Sequence, residues 1–268
     1  MERPTWAPED ISLDQPSQAR IYDYLLGGAY NSAADRETAK QMIKEMPDLV
    51  TVARANRAFL YRAVRFLVDA GIRQFLDIGS GVPTMGNVHE VARRVAPQAR
   101  VVYVDIDPVA VAQSQALLAG DDQADVVHAD LREPDQILGS EQARRLLDFD
   151  QPVGLLMLAI LQSIPDADDP AGVVARYSDR VTAGSHLVIA HPSADSRPDE
   201  IGRVREIVAR MPNTMTPRTH QQISRFFAGF DLVEPGLVWV PQWRPEPGGE
   251  FEAHPERSIS YGGVGRKP

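Results

Sequence analysis

Residues 75–84 read Phe75-Leu76-Asp77-Ile78-Gly79-Ser80-Gly81-Val82-Pro83-Thr84, an apolar run that ends in an acid and two glycines. Downstream, Val88, Val91, Ala92 and Val95 recur at helical spacing, so this stretch joins a buried strand to a helix with one apolar face. Glycines at a strand-to-helix turn let the backbone approach a ligand that a Cβ would repel. A pyrophosphate site asks for G-x-G-x-x-G. Position 84 is Thr, and an acid two residues before the first glycine would repel phosphate. The turn therefore disfavours a dinucleotide and suits a ligand with a cationic tail. Asp77 would serve it either directly or by ordering the loop amides.

Working outward, short apolar runs at 75–78, 101–104, 126–128, 153–158 and 186–190 alternate with helical segments. That alternation is the signature of βαβ units and predicts five parallel strands. Two further strands, 232–240 and 258–265, are separated only by a Pro-rich loop, too short for a crossover helix, and so form an antiparallel pair. Before the glycine turn lie three helical segments. The first, 16–26, carries Ile21, Tyr22, Leu25 and Leu26 on one face and stops at Gly27-Gly28. The second runs from Asn31 to Met46. The third bears the stripe Leu60, Val64, Leu67 and closes at Gly71. Residues 1–15 are rich in Pro and acids and read as an arm. The chain thus divides into an arm and helical lid, 1–70, and an α/β domain, 71–268.

Two more strand ends complete a pattern. Asp105 closes the run Val102-Tyr103-Val104-Asp105-Ile106-Asp107-Pro108, 24 residues after Gly81, about where an acid meets ribose hydroxyls in a nucleoside site. Asp130, in Val127-His128-Ala129-Asp130-Leu131, is placed to accept from an adenine amino group while Ile106 and Leu131 flank the ring. Either acid alone reads more often as a helix cap than as a ligand contact. In order, one per strand, the three describe an adenosine pocket. S-adenosylmethionine has no phosphate and carries an ammonium and a sulfonium, so it fits the acid at the turn. Asp77, Gly79, Ser80, Gly81, Asp105, Ile106, Asp130 and Leu131 are the cofactor-binding candidates.

Composition narrows the rest. A net charge of -9 opposes binding to nucleic acid, which needs clustered cations. There is no Cys, hence no disulfide or thiolate metal site, and the six His show no metal-ligand spacing. No apolar run approaches membrane-span length and the start lacks a signal-peptide core, so the cytoplasm is the expected compartment.

At these residues the chain resembles the class I S-adenosylmethionine-dependent methyltransferases over roughly 71–268. Residues 216–230, ending Phe226-Phe227-Ala228-Gly229-Phe230, look like their late helix and glycine turn into the sixth strand. Ala19-Arg20-Ile21-Tyr22-Asp23-Tyr24-Leu25-Leu26-Gly27-Gly28, Ala34-Asp35-Arg36, Asn56-Arg57 and 77–84 together resemble a bacterial S-adenosyl methyltransferase family across nearly the whole chain. The resemblance implies a Rossmann-like methyltransferase fold, a doubly wound, seven-stranded, mostly parallel sheet with an N-terminal helical extension. It also implies leading helices folded over the cofactor, with Tyr22 and Asn31 as candidates to touch it. Simple core packing is the competing role for Tyr22, and a local ion pair the competing role for Arg20 and Asp23.

Two departures from the family pattern bear on the acceptor. The loop after Gly28 reads Ala29-Tyr30-Asn31-Ser32 in place of Lys-Asp-Asn and an aromatic, and 159–164 after the fourth strand holds no His. Methyl transfer from a sulfonium needs alignment more than a strong base. If a base is used, His191 at the end of the fifth strand is the candidate, with a hydrogen bond to its own loop as the alternative role. His89 reads as solvated. Trp239 and Trp243 would line an acceptor wall, a homodimer contact or simply core. The expected function is methyl transfer to a small-molecule acceptor. A non-methylating S-adenosylmethionine-binding protein and a nicotinamide oxidoreductase are the alternatives.

Overall fold

A computed structural model of the chain describes residues 6–7, 11–83, 86–211 and 214–268. Thr84 of the glycine turn and positions 1–5 and 8–10 of the arm lie outside the described residues. Three helices lead: α1 (Gln18–Leu25), α2 (Ala33–Glu45) and α3 (Leu49–Asp69). Local chemistry sets their ends. Gly27 (φ 81) and Gly71 (φ 94) occupy the left-handed position after α1 and α3. In the second case the amides of Ile72 and Gly71 donate to the carbonyls of Leu67 and Val68 at 2.9 and 3.0 Å, closing the helix end. Ser32 and Asp35 form a reciprocal capping box on α2.

The α/β body follows as β1 (Gln74–Ile78), α4 (Val88–Arg93), β2 (Arg100–Asp105), α5 (Pro108–Leu117), β3 (Ala124–His128), α6 (Pro134–Leu138), α7 (Glu141–Leu146) and β4 (Gly154–Leu158). Then come α8 (Pro170–Ser178), β5 (His186–Pro192), α9 (Pro198–Val208), α10 (His220–Ser224), β6 (Asp231–Leu232), β7 (Val238–Trp239) and β8 (Ser260–Arg266). The sheet order is β3-β2-β1-β4-β5-β8-β6, with β7 also on β8. Strands β1 to β5 are parallel and β8 runs antiparallel to β5, β6 and β7. Strand order reverses between β1 and β4, and a crevice opens outside the carboxyl ends there.

Strand alternation sorts the core into two faces. Leu76 and Ile78 of β1, Leu155 and Met157 of β4, and Leu187 and Ile189 of β5 pack under α6, α7 and α8. Phe75, Leu156 and Val188 face the second half of α3, with α4 and α5. A third apolar cluster joins α1, α2 and the first half of α3 to α9 through Ile21, Leu25, Met42, Leu49, Ile201 and Val204. The leading helices are therefore held on the body by α9 as well as by α3.

Three sequence expectations change. The single strand 232–240 is two short ones, because Pro235 has no N–H to donate and Gly236 (φ 91) turns the chain, so the sheet has eight strands. α4 ends at Arg93, which leaves Val95 beyond it and 55% exposed. Trp243 is fully buried edge-on to Phe59 and Phe66, a core residue and neither acceptor wall nor dimer contact. Trp239 stacks on Tyr261 with ring centroids 3.8 Å apart.

Candidate functional site

The crevice at the strand reversal is roofed by the leading helices, and together they line a partly open cavity of about 710 Å³. Its lining includes Asp77, Gly79, Ser80 and Gly81 from the first turn, Asp105 and Ile106 from the second strand end, and Asp130 and Leu131 from the third. All eight strand-end candidates meet in one place. Ile106 is 57% exposed there, an apolar side chain presented to the open space.

The glycine turn is bare for a geometric reason. Gly79 has φ 73, and a Cβ on it would fall 2.3 Å from Ile160 Cγ1, so the loop after β4 lies against the turn. The amides of Gly79 and Ser80 donate to Val104 O at 2.8 and 3.1 Å. The Gly81 amide donates to Asp105 Oδ2 at 2.7 Å, and the Asp107 amide to Asp105 Oδ1 at 2.8 Å. Asp105, and not Asp77, thus orders the loop amides. Each of its oxygens keeps a lone pair for a hydroxyl.

Two buried acids side by side give the site its electrostatics. Burial pushes the Asp77 carboxyl up to about 7, with Arg57 lowering it and Asp105 raising it. Burial likewise pushes Asp105 up to about 6, against the amide hydrogen bonds that favour its charged form. A positive group placed between them would restore both charges. Asp130 differs: hydrogen bonds from Arg132 hold it below the usual carboxylate range. The Arg132 guanidinium contacts Asp130 at 2.6 Å and Asp168 at 3.2 Å.

The leading helices contribute unevenly. Tyr22 lines the cavity, and its hydroxyl donates to Ala53 O at 3.1 Å while accepting from Asn56 Nδ2 at 3.1 Å. Asn31 does not line it. Its amide donates to Asp23 Oδ2 at 2.7 Å and to Gly28 O at 2.9 Å, tying down the turn after α1. Asp23 serves that turn, so the ion pair expected with Arg20 is absent among the described residues. Arg20 instead pairs with fully buried Asp35 at 2.7 Å and reaches Asp107 at 3.5 Å. Ser17 Oγ also donates to Asp107, so α1 is fastened two residues beyond Asp105.

Asn56 and Arg57 are among the lining residues that sequence reasoning did not single out for the site. The signal was present: Arg57 falls on the stripe formed by Ala53, Leu60 and Val64, where a cation has no business in simple core. Asn56 Oδ1 is buried without a partner among the described residues.

His191 is not a base for this cavity. It is 0% exposed and outside the lining; Nδ1 donates to Pro192 O at 2.8 Å and Nε2 accepts from Arg218 at 3.0 Å. Burial draws it down to about 3, so it stays neutral. Arg218 also donates to Leu161 O, Ile164 O and Asp166 Oδ1 at 3.0, 2.7 and 2.8 Å, which clamps the loop after β4 that walls the cavity. His89 is half-buried against Tyr103, its Nδ1 2.7 Å from the phenol, where solvation was expected.

The donor set fits S-adenosylmethionine. The space beside Gly81 is open, Asp105 keeps lone pairs for hydroxyls, and the raised carboxyls of Asp77 and Asp105 suit a cation.

Comparisons with known proteins agree. A family model described as S-adenosyl methyltransferase matches residues 4–268. The chain is similar to a DUF574 family protein from Streptomyces avermitilis MA-4680, with 42% identity over 96% of this chain and 100% of that one and a TM-score of 0.92. It is also similar to a candidate methyltransferase from Thermobifida fusca YX, with 40% identity over 98% and 99% of the two chains and a TM-score of 0.92. The candidate methyltransferase in a complex with the Trm112 methyltransferase activator from Haloferax volcanii shares the fold at 18% identity, over 78% of this chain and 89% of that one, with a TM-score of 0.51. No curated protein matches. By the near-complete family match and these relatives, the chain belongs to the S-adenosyl methyltransferase family, whose cofactor is S-adenosylmethionine.

Proposed function

We propose that this chain is an enzyme that transfers the methyl group of S-adenosylmethionine to a small-molecule acceptor bound in the same cavity. One observation carries the reading: the three strand ends occupy only one side of a roofed space, and across it lies an apolar patch of Leu25, Met42, Leu49, Val208, Met211 and Met215 from α1, α2, α3, α9 and the segment after α9. A roofed space of this size suits a small molecule. The net charge of -9 also argues against a nucleic-acid substrate.

S-adenosylmethionine, when bound, supplies an electrophilic methyl on a sulfonium. Asp105 would hold the ribose while keeping Gly81 in place, and Ile106 and Leu131 would flank the adenine. Asp130, fixed by Arg132, would face its amino group. Asp77 would meet the ammonium and Arg57 the carboxylate of the amino-acid end. Tyr22 and Asn56 would close the roof, and Asn31 would act indirectly by bracing the turn after α1. The roof's chemical task is to exclude water and align the acceptor, which supplies most of the rate in displacement at a methyl carbon.

Incubating the protein with S-adenosylmethionine and a bacterial small-molecule extract, and measuring S-adenosylhomocysteine, tests the proposal. Extract-dependent product is expected. Tight cofactor binding with no product under any extract would favour a non-methylating binding protein.

A further inference from the structure

We propose that the acceptor is an uncharged aromatic amine on an apolar frame, and that its nitrogen receives the methyl group. This rests on the proposed function, and three observations within the cavity carry it.

The first is the wall. Leu25, Met42, Leu49, Val208, Met211 and Met215 face the acceptor side. Thioethers are polarisable, adapt to irregular shapes and make favourable contacts with aromatic rings, so three of them among branched aliphatics suit a flat apolar guest.

The second is the charge. Asp77, Asp105, Asp107, Asp130 and Asp168 line the cavity against Arg20, Arg57 and Arg132. Arg20 is engaged by Asp35 and Asp107, and Arg132 by Asp130 and Asp168. Arg57 lies by Asp77 at the glycine turn. A carboxylate, phosphate or thiolate acceptor would enter a negative surround with its own charge uncompensated.

The third is the proton. An alcohol or phenol must lose its proton as it attacks, which calls for a base within reach. All six His and Lys40, Lys44 and Lys267 are among the described residues, none of them lines the cavity, and the chain has no Cys. The Tyr22 phenol is committed to Ala53 and Asn56. Asp77 and Asp105 stand at the cofactor end, Asp107 is held by Ser17 and Arg20, and Asp130 and Asp168 are paired with Arg132. An aromatic amine needs no such partner, because its nitrogen is unprotonated at neutral pH. Its lone pair forms the N–CH3 bond as the C–S bond breaks, and the electron pair of that bond returns to sulfur, leaving a neutral thioether. The resulting N-methyl arylammonium is acidic enough to give its proton to water at neutral pH.

Three biphenyls of the same shape test this: 4-aminobiphenyl, 4-hydroxybiphenyl and biphenyl-4-carboxylate. Calorimetry first establishes S-adenosylhomocysteine binding; its absence would overturn the proposed function itself, and this inference with it. On the S-adenosylhomocysteine-saturated protein the amine is expected to bind, and the carboxylate to bind about tenfold more weakly or worse. With S-adenosylmethionine, mass spectrometry is expected to show N-methylation of the amine and an unmodified phenol. Met215→Arg, at a half-buried wall position, is expected to shift the ratio toward the carboxylate by about tenfold. Failure of the amine to bind the loaded protein, equal binding of the carboxylate, or methylation of the phenol in place of the amine would overturn the proposal while leaving cofactor binding intact.

Discussion

Replacing Asp77 by Asn tests the electrostatic description of the glycine turn. Asp77 is 8% exposed, and its carboxyl stands at about 7 in the folded protein against 3.8 for the ordinary group. A raised folded value means that the acid favours the native state below the ordinary value, and that this advantage is lost as pH rises through about 7. Between pH 5 and pH 8 the loss amounts to about 3 kcal/mol, taking 1.36 kcal/mol per unit of displacement. The Asn side chain does not titrate. Asp77→Asn is therefore expected to gain stability on the native protein by about 3 kcal/mol over that interval, a relative Tm change of about 6–12 °C for a chain this long. Differential scanning calorimetry of both proteins without cofactor, at pH 5, 6, 7 and 8, reads it directly. A cation at the site cancels the penalty, so protection of the native protein by S-adenosylmethionine is expected to grow across the same range and that of the variant to stay small. Parallel Tm curves for the two proteins would mean that burial does not hold the Asp77 carboxyl above its ordinary value.

Three further substitutions probe other parts of the site. Gly79→Ala places a methyl 2.3 Å from Ile160 Cγ1 in a left-handed backbone conformation, and calorimetric titration is expected to show loss of cofactor binding; unchanged affinity would mean that the ligand does not depend on this turn. Arg20→Ala leaves fully buried Asp35 without its cation and is expected to lower stability by about 3–5 kcal/mol in urea unfolding, with faster hydrogen exchange in α1; a change under about 1 kcal/mol would remove the pair from the lid. His191→Gln is expected to leave the pH profile of methyl transfer unmoved, because the neutral ring carries no proton to the cavity. Loss of a titrating limb in that profile would restore it as a base.

The parts of the site legible in the sequence were those written in local punctuation. An apolar run closed by an acid, repeated on three strands, places Asp77, Asp105 and Asp130 at carboxyl ends whatever the rest of the chain does, and parallel pairing then brings them into one crevice. Helices closed by Gly27 and Gly71 were legible for the same reason. What escaped depends on partners distant in the chain. His191 stood at the right strand end, but Arg218 takes its free nitrogen. Asn31 looked like a roof residue, but Asp23 claims its amide. Of the two roles open to Asp77, ordering the loop amides falls to Asp105, because the carboxylate that reaches the Gly81 amide belongs to the neighbouring strand. The wall formed by Val208, Met211 and Met215 depends on where α9 docks, which no local pattern encodes. The break in the strand 232–240 was legible after all: Pro235-Gly236 is a turn dipeptide inside an apolar run.

The most direct test of the central claim is a crystal structure of the protein soaked with S-adenosylhomocysteine, paired with calorimetry on Asp105→Ala. Electron density is expected at the reversal between β1 and β4, with the ribose hydroxyls on Asp105, the adenine between Ile106 and Leu131 and the amino-acid end beside Asp77. Affinity is expected to fall about a hundredfold in the variant. Density elsewhere, or undiminished affinity in Asp105→Ala, would contradict the account.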